Sequence, residues 1–287
     1  MKIVDIIYRY EARDTPTSLR PSDTDAALRR LEDGNRAFAA LFESGAEQNA
    51  DVQCIVPVDS RELGLLSSNK EGPKQHPFAA ILGCSDARVP IELIFNEGPN
   101  DLFVIRVAGN GLGTEVLGSL KYAIDHLNQS LKLIVVLGHS GCGALTTAVD
   151  VFLNPSDYLP LVSKHSLRSI LDRLLIVVDA CARKLSGAFG PDIVQRPGYR
   201  RALIEASIVT NAALASYSIR RELGDSNSAA LKVVYGVYLL ETREVWCPRE
   251  GRYSGLATAP DSDAAFSELG DAIIRSKRIA SLIKPKE

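Results

Sequence analysis

A histidine and a cysteine, His139 and Cys142, lie three residues apart in the stretch Gly-His-Ser-Gly-Cys-Gly. This stretch follows an apolar run at 133–137, and Cys84 follows a second apolar run at 78–82 in the same way. The His-x-x-Cys spacing alone is more typical of a structural role, and the addition of Cys84 is what favours a metal site. Two cysteines and one histidine bind zinc and leave one tetrahedral position open, as catalytic zinc sites do.

An aspartate and an arginine follow Cys84 closely, as Asp86 and Arg88. Asp86 offers a carboxylate, which is a harder and more easily displaced zinc ligand than a thiolate. Arg88 can hold Asp86 through a bidentate ion pair and so fix which oxygen faces the metal. A surface ion pair at the end of a strand is the alternative interpretation, and the neighbouring Cys84 favours the first.

Three other chemistries are excluded by single positions. The glycine-rich stretch at 109–113 lacks the third glycine of a dinucleotide-binding loop. Cys142 stands where the Gly-x-Ser-x-Gly nucleophile motif requires glycine. Zinc deaminases need a glutamate two residues after the histidine, and this chain has Gly141 there.

The elements that must position these residues are predicted to form an α/β fold. Apolar runs at 78–82, 102–105 and 133–137 lack polar alternation, which favours parallel strands buried on both faces. Residues just after the carboxyl ends of such strands line a common crevice, so Cys84 and His139 are expected to meet there. We further predict helices over 22–45, 115–127, 163–183, 200–222 and 264–283, a closing strand and hairpin over 231–246, and irregular chain over 51–77.

Composition indicates a globular protein of 287 residues with nearly balanced charge, 33 basic against 35 acidic side chains. This balance argues against a nucleic-acid-binding surface. Apolar runs do not approach the roughly 20 residues of a membrane span, and the first residues lack the apolar core of a secretion signal. We therefore expect a cytoplasmic protein with no membrane partner, and reduced thiols for its five cysteines.

Three motifs resemble those of the β-class carbonic anhydrases. They are Cys-Ser-Asp-Ala-Arg at 84–88, Asp-Leu-Phe-Val-Ile-Arg with Ala-Gly-Asn at 101–110, and His-Ser-Gly-Cys-Gly at 139–143. The resemblance implies a central, mostly parallel β-sheet flanked by helices, with an N-terminal helical arm and an extra C-terminal helix. It divides the chain into an arm over 1–45, a catalytic domain over 46–250 and a helical tail over 251–287.

The resemblance also implies one zinc ion per chain, with Cys84, His139 and Cys142 as ligands. Asp86 would either occupy the fourth position or pair with Arg88 and accept a hydrogen bond from the zinc-bound water. The implied substrate-binding residues are Gln75, Phe103, Ala108 and Tyr122. The arm would pack on a second subunit, which predicts a homodimer or a higher homo-oligomer.

The implied reaction is reversible hydration of carbon dioxide to bicarbonate and a proton by attack of zinc-bound hydroxide. This is the activity of a carbonate dehydratase, a carbon–oxygen lyase. Zinc lowers the pKa of its bound water towards ~7, which makes hydroxide available near neutral pH.

Two alternatives stay open at the level of sequence. The first is hydrolysis of carbonyl sulfide or carbon disulfide on the same scaffold, because both molecules present a similar electrophilic carbon. The second is a non-catalytic zinc protein that serves assembly, with the helical region and tail bound to a partner such as a microcompartment shell.

Overall fold

The computed structural model describes residues 3–11, 20–41, 52–64, 72–161, 164–223, 231–248 and 255–283. The helices are α1 Thr24–Ala40, α2 Ile91–Ile94, α3 Thr114–His126, α4 Gly143–Leu153, α5 His165–Phe189, α6 Tyr199–Leu223, α7 Asp263–Arg275 and α8 Lys277–Ala280. The strands are β1 Val4–Glu11, β2 Val52–Asp59, β3 Ala79–Gly83, β4 Leu102–Arg106, β5 Leu133–His139, β6 Lys232–Tyr238, β7 Val245–Trp246 and β8 Ala257–Thr258.

The central sheet has the strand order β4-β3-β5-β6-β7, and β8 also pairs with β6. The strands β4, β3, β5 and β6 are parallel, whereas β7 and β8 run antiparallel to β6. The predicted α/β class with a mostly parallel sheet is therefore confirmed, and the three apolar runs form β3, β4 and β5. The helix α4, which follows Cys142 directly, is not among the predicted helices.

Both faces of the central sheet are covered, which explains why β3 and β5 are buried along their whole length. Ala80 and Leu82 point to the face that packs against the helices from α3 to α8. Ala79 and Ile81 point to the opposite face, which packs against α1 and α2. The alternation of strand side chains thus divides the core into two layers.

The prediction of irregular chain over 51–77 is wrong for β2, which pairs in parallel with β1 in a separate two-stranded sheet. The segment is rich in β-branched residues, and Val56 and Val58 are buried. Pro57 cannot donate a backbone hydrogen bond, but in a two-stranded sheet each strand has one free edge that tolerates proline.

The predicted helical arm over 1–45 contains α1, but its residues 4–11 form the strand β1, so that part of the arm is not helical. The apolar face of α1 packs on the sheet of its own chain. Ala27, Leu31 and Phe38 are buried in the same cluster as Ile94 and Phe95. Asp23 caps the helix by accepting a hydrogen bond from the backbone of Ala26 at 2.7 Å. Docking of α1 on a second subunit stays a prediction, and the predicted end of this helix at 42–45 lies outside the described residues.

The contact between α1 and α2 requires a glycine at position 34. A Cβ atom at Gly34 would lie 1.8 Å from the carbonyl oxygen of Phe95. We expect Gly34→Ala to lower the free energy of unfolding by roughly 1–3 kcal/mol, because the two backbones must separate. Denaturant unfolding of the purified variant measures this change.

Gly118, on α3, is the matched control, since a Cβ atom there would meet nothing within 4 Å. We expect Gly118→Ala to raise the free energy of unfolding by about 0.4–1 kcal/mol, because alanine restricts the unfolded chain. Equal effects of the two substitutions would contradict the close approach of α1 to Phe95.

The C-terminal helix predicted over 264–283 is two helices, α7 and α8, separated by Ser276. Ser276 adopts an extended conformation, and its hydroxyl donates to the carbonyl oxygen of Ile273 at 2.7 Å. This local bond competes with helix continuation. Both helices contribute buried residues to the core, Ile273, Ile274 and Ile279.

The helix α6 has the length and hydropathy of a membrane span, but 78% of its most apolar 18-residue window is buried inside the protein. It is the central core helix that packs against β5 and β6. Burial in the core explains its apolar composition.

Candidate metal centre

The three predicted ligands lie at the carboxyl edge of the sheet, where the neighbouring strands β3 and β5 end. Cys84 follows β3 directly, and His139 is the last residue of β5. A turn then places Cys142 at the N-cap of α4. Gly141 in this turn has a φ of +65°, a left-handed conformation that glycine adopts without strain.

The ligand atoms of Cys84, His139 and Cys142 all lie within 4.8 Å of one another. Each of the three residues is at most 5% exposed. Zinc holds thiolate and imidazole ligands at about 2.0–2.3 Å, which places the ligand atoms about 3.3–3.8 Å apart in a tetrahedral site. The three side chains are therefore close enough together that they could hold one metal ion.

The imidazole of His139 has one satisfied nitrogen and one unsatisfied nitrogen. Its Nδ1–H donates to the carbonyl oxygen of Ser140 at 3.0 Å, which leaves the lone pair on Nε2. Nε2 is buried and has no hydrogen-bond partner among the described residues. A buried polar atom without a partner is costly, and a metal ion would satisfy it.

The thiols of Cys84 and Cys142 shift each other's pKa in opposite directions. A hydrogen bond from the Cys142 thiol lowers the pKa of Cys84, and the same bond together with burial raises the pKa of Cys142. The backbone N–H of Gly109 also donates to the Cys84 sulfur at 3.3 Å. The side-chain amide of Asn211 donates in turn to the carbonyl oxygen of Gly109 at 2.8 Å. These shifts favour ionisation of Cys84 over Cys142, and a bound divalent cation would stabilise both thiolates.

Asp86 and Arg88 form the predicted bidentate pair at the mouth of this cluster. Arg88 donates from Nε to Oδ1 at 3.0 Å and from Nη2 to Oδ2 at 2.7 Å. These bonds hold the pKa of Asp86 well below its usual range. Oδ2 of Asp86 lies 3.9 Å from Nε2 of His139, so an ionised carboxylate faces the ligand cluster.

Arg106 contacts the site but is not among the predicted site residues. It donates from Nε to the carbonyl oxygen of Cys84 at 3.0 Å and from Nη2 to that of Asp86 at 2.6 Å. It therefore fixes the backbone that carries both residues. Its position at the end of β4, beside β3, is the sequence signal that could have identified it.

A family model described as carbonic anhydrase matches residues 79–245, more than half of the chain. This chain belongs to the β-class carbonic anhydrase family. The match runs from β3 to β7 and includes all three predicted ligands.

Curated relatives carry the same family name. "Carbonic anhydrase 2" of Mycobacterium tuberculosis is 40% identical over 149 residues, which are 51% of this chain and 64% of the relative. "Carbonic anhydrase" of Mycolicibacterium smegmatis is 35% identical over 153 residues, which are 52% of this chain and 66% of the relative. The chain thus spans just under two thirds of the length of these relatives.

Solved structures of β-carbonic anhydrases are also similar. The Coccomyxa β-carbonic anhydrase in complex with acetazolamide has a TM-score of 0.46 and 23% identity, covering 82% of this chain and 89% of that chain. A tetrameric β-carbonic anhydrase from Sordaria macrospora has a TM-score of 0.43 and 22% identity, covering 60% of this chain and 80% of that chain.

The aromatic residues predicted to line the carbonic anhydrase pocket lie away from the cluster within one chain. Phe103 is opposite Ala80 in the register of β3 and β4, four residues before Cys84. Strands rise about 3.3 Å per residue, so Phe103 is displaced about 13 Å along the sheet from the level of Cys84. Tyr122 is 48% exposed on α3, and its ring centroid lies 6.4 Å from that of Phe103.

Gln75, also predicted to bind substrate, is exposed. It precedes β3, whereas the ligand cluster lies beyond the carboxyl ends of the strands. The chain around Gln75 is tied to the start of β4, because the backbone of His76 donates to Oδ1 of Asn100 at 3.2 Å. The backbone of Phe78 donates to the carbonyl oxygen of Asp101 at 2.9 Å. Gln75 is therefore not brought to the ligand cluster of its own chain.

Ala108 is the predicted pocket residue that does border the cluster. It directly precedes Gly109, whose backbone N–H contacts the Cys84 sulfur. Ala108 is half-buried in a short 3₁₀ turn after β4.

Proposed function

We propose that this chain catalyses the reversible hydration of carbon dioxide to bicarbonate and a proton, with one zinc ion per chain held by Cys84, His139 and Cys142. The observation that carries this proposal is the unsatisfied, buried Nε2 of His139, in one group with the thiols of Cys84 and Cys142 and 3.9 Å from the carboxylate of Asp86. Membership of the β-class carbonic anhydrase family supports the same chemistry.

Zinc in such a site supplies the Lewis acidity that makes water a nucleophile near neutral pH. Two thiolates and a neutral imidazole balance the charge of a divalent ion. The donor set also leaves one tetrahedral position for solvent, which suits exchange with a small substrate.

Asp86 orients the attacking water by accepting a hydrogen bond from it. An acceptor in this role must stay ionised, and the two bonds from Arg88 keep it so. Arg88 also donates to the carbonyl oxygen of Gly141 at 3.3 Å, which ties the carboxylate to the turn between His139 and Cys142. Orientation rather than proton removal is therefore the contribution of the Asp86–Arg88 pair.

The substrate pocket is completed by a second copy of the chain. Phe103 lies on β4, Tyr122 on α3 and Gln75 before β3, all away from the ligand cluster of their own chain. The strand β4 is an edge strand, and Tyr122 is exposed beside it. In a homodimer these side chains would face the partner's ligand cluster, with Gln75 donating to a substrate oxygen and the aromatic rings excluding water.

Stopped-flow hydration of carbon dioxide together with metal analysis tests this proposal. We expect one zinc per chain and hydration well above the uncatalysed rate, with much slower release of sulfide from carbonyl sulfide. Faster sulfide release than hydration would favour the hydrolase alternative. Zinc-loaded protein without hydration across the neutral and alkaline range would contradict the proposed reaction.

Light scattering of the same sample tests the second copy. A dimer or a larger oligomer is expected. A monomer that retains full hydration activity would contradict the contribution of Gln75, Phe103 and Tyr122 from a partner.

A further inference from the structure

The C-terminal segment that contains α7 and α8 lies outside the family match at 79–245. It nevertheless contacts residues close to the ligand cluster. Its chain packs closely on the start of α6, where a Cβ atom at Gly198 would lie 1.8 Å from the carbonyl oxygen of Leu282. Ile279 of α8 is fully buried. This segment is therefore fixed against the core and presents its neighbouring side chains in defined positions.

Arg278, next to Ile279, links two acidic side chains. It donates to Oε2 of Glu205 from Nε at 2.9 Å and from Nη2 at 2.7 Å. Its Nη1 lies 2.8 Å from Oε1 of Glu241. The Glu205 side chain is only 11% exposed, so one end of this bridge is anchored in α6 and the other end holds the turn after β6.

Glu241 continues the chain of contacts to the turn between His139 and Cys142. Its Oε2 accepts a hydrogen bond from the hydroxyl of Ser140 at 2.8 Å. The same hydroxyl accepts a bond from the backbone of Leu240 at 2.9 Å, and the backbone of Ser140 donates to the carbonyl oxygen of Tyr238 at 2.9 Å. Ser140 is thus fixed at its side chain and its amide.

The carbonyl oxygen of Ser140 is the group that accepts the Nδ1–H of His139. Outer partners of this kind set the tautomer and the ring orientation of a ligand histidine. The contacts from Tyr238, Leu240 and Glu241 together restrain Ser140, and with it the carbonyl oxygen that orients His139.

We infer that Arg278 is a positioning residue for the metal centre, which acts through Glu241 and Ser140 on the orientation of His139. The inference rests on the proposed zinc site. It assigns to the C-terminal segment a role in presenting Nε2 of His139 to the ion.

Zinc affinity of the full-length, metal-depleted protein, measured by competition with a chromophoric chelator, tests this role. We expect Arg278→Gln and Glu241→Ala each to lower the affinity about 10-fold, within the range for outer partners of ligand histidines. Arg278→Lys should restore part of the loss, because lysine keeps the charge but not the bidentate geometry. Arg275→Gln, on the exposed last turn of α7, is the matched control and should bind zinc like the unsubstituted chain.

A spectroscopic measurement separates positioning from general stability. With Co²⁺ as the probe in place of zinc, we expect the visible absorption bands of Arg278→Gln and Glu241→Ala to shift in the same direction. The zinc affinity of the double variant should equal that of the single variant with the lower affinity, because both residues act along one chain of contacts.

Unchanged affinity and spectra in both single variants, or additive losses in the double variant, would overturn the inference. Should Arg278→Gln fail to fold, Arg278→Lys decides, because lysine keeps the charge beside Glu205 but not the bidentate geometry, and zinc affinity and Co²⁺ spectra equal to those of the unsubstituted chain would then overturn the inference. Failure of the unsubstituted chain to bind zinc would instead contradict the proposed function.

Discussion

Substituting alanine for Cys84 or His139 is expected to reduce bound zinc from one per chain to a trace and to lower hydration at least about 1,000-fold. Each substitution would remove one of the three proposed protein donors, and we expect the remaining two not to retain the ion against competing buffer ligands. Metal analysis after gel filtration and stopped-flow hydration measure the two losses on the same sample.

Cys54→Ala is the matched control for the loss of a thiol. Cys54 is a free cysteine on β2, outside the ligand cluster. We expect this variant to keep its zinc and its hydration rate. A Cys84→Ala or His139→Ala protein that retained stoichiometric zinc would show that the ligand assignment is wrong.

Replacing Asp86 by asparagine is expected to leave zinc content unchanged and to lower kcat/KM for hydration by about 100-fold. Asparagine preserves the shape of the side chain but loses the charge that Arg88 holds beside Nε2 of His139. Arg88→Lys should have a smaller effect, because lysine keeps a positive charge without the two parallel bonds. Kinetics over a pH series, with metal analysis of each variant, measure these changes.

The pH dependence gives a second check on Asp86. Since Arg88 lowers its pKa below the ordinary value of 3.8, Asp86 stays ionised through the neutral range. Its contribution to stability is present above that ordinary value and is lost only as the pH falls through the lower, folded-state pKa.

An Asp86→Asn protein with full activity, or one that had lost its zinc, would contradict the orienting role.

The positions of the strand ends made the ligand cluster predictable. Unbroken apolar runs identified β3 and β5, and parallel neighbours place their carboxyl ends together, so Cys84 and His139 could be expected to meet. Their separation by more than fifty residues mattered little, because strand direction sets the geometry.

The same rule could have placed Gln75 correctly. Gln75 precedes β3 and Cys84 follows it, so the two residues must lie at opposite ends of one strand. The resemblance implies that Gln75 binds substrate, and the direction of β3 shows that Gln75 and Cys84 of one chain lie apart.

Other parts of the site leave little trace in sequence. Arg278 meets Glu241 and Glu205 through a fold in which the final helix returns to α6 and β6. An isolated arginine on a short helix carries no pattern that indicates such partners. The strand β2 was missed for a related reason, since its partner β1 lies about fifty residues earlier and its sequence includes Pro57.

X-ray absorption at the zinc edge of the metal-loaded protein tests the ligand set most directly. We expect two sulfur neighbours at about 2.3 Å and two lighter neighbours, nitrogen or oxygen, at about 2.0 Å. A spectrum with four sulfur neighbours, or with none, would contradict coordination by Cys84, His139 and Cys142.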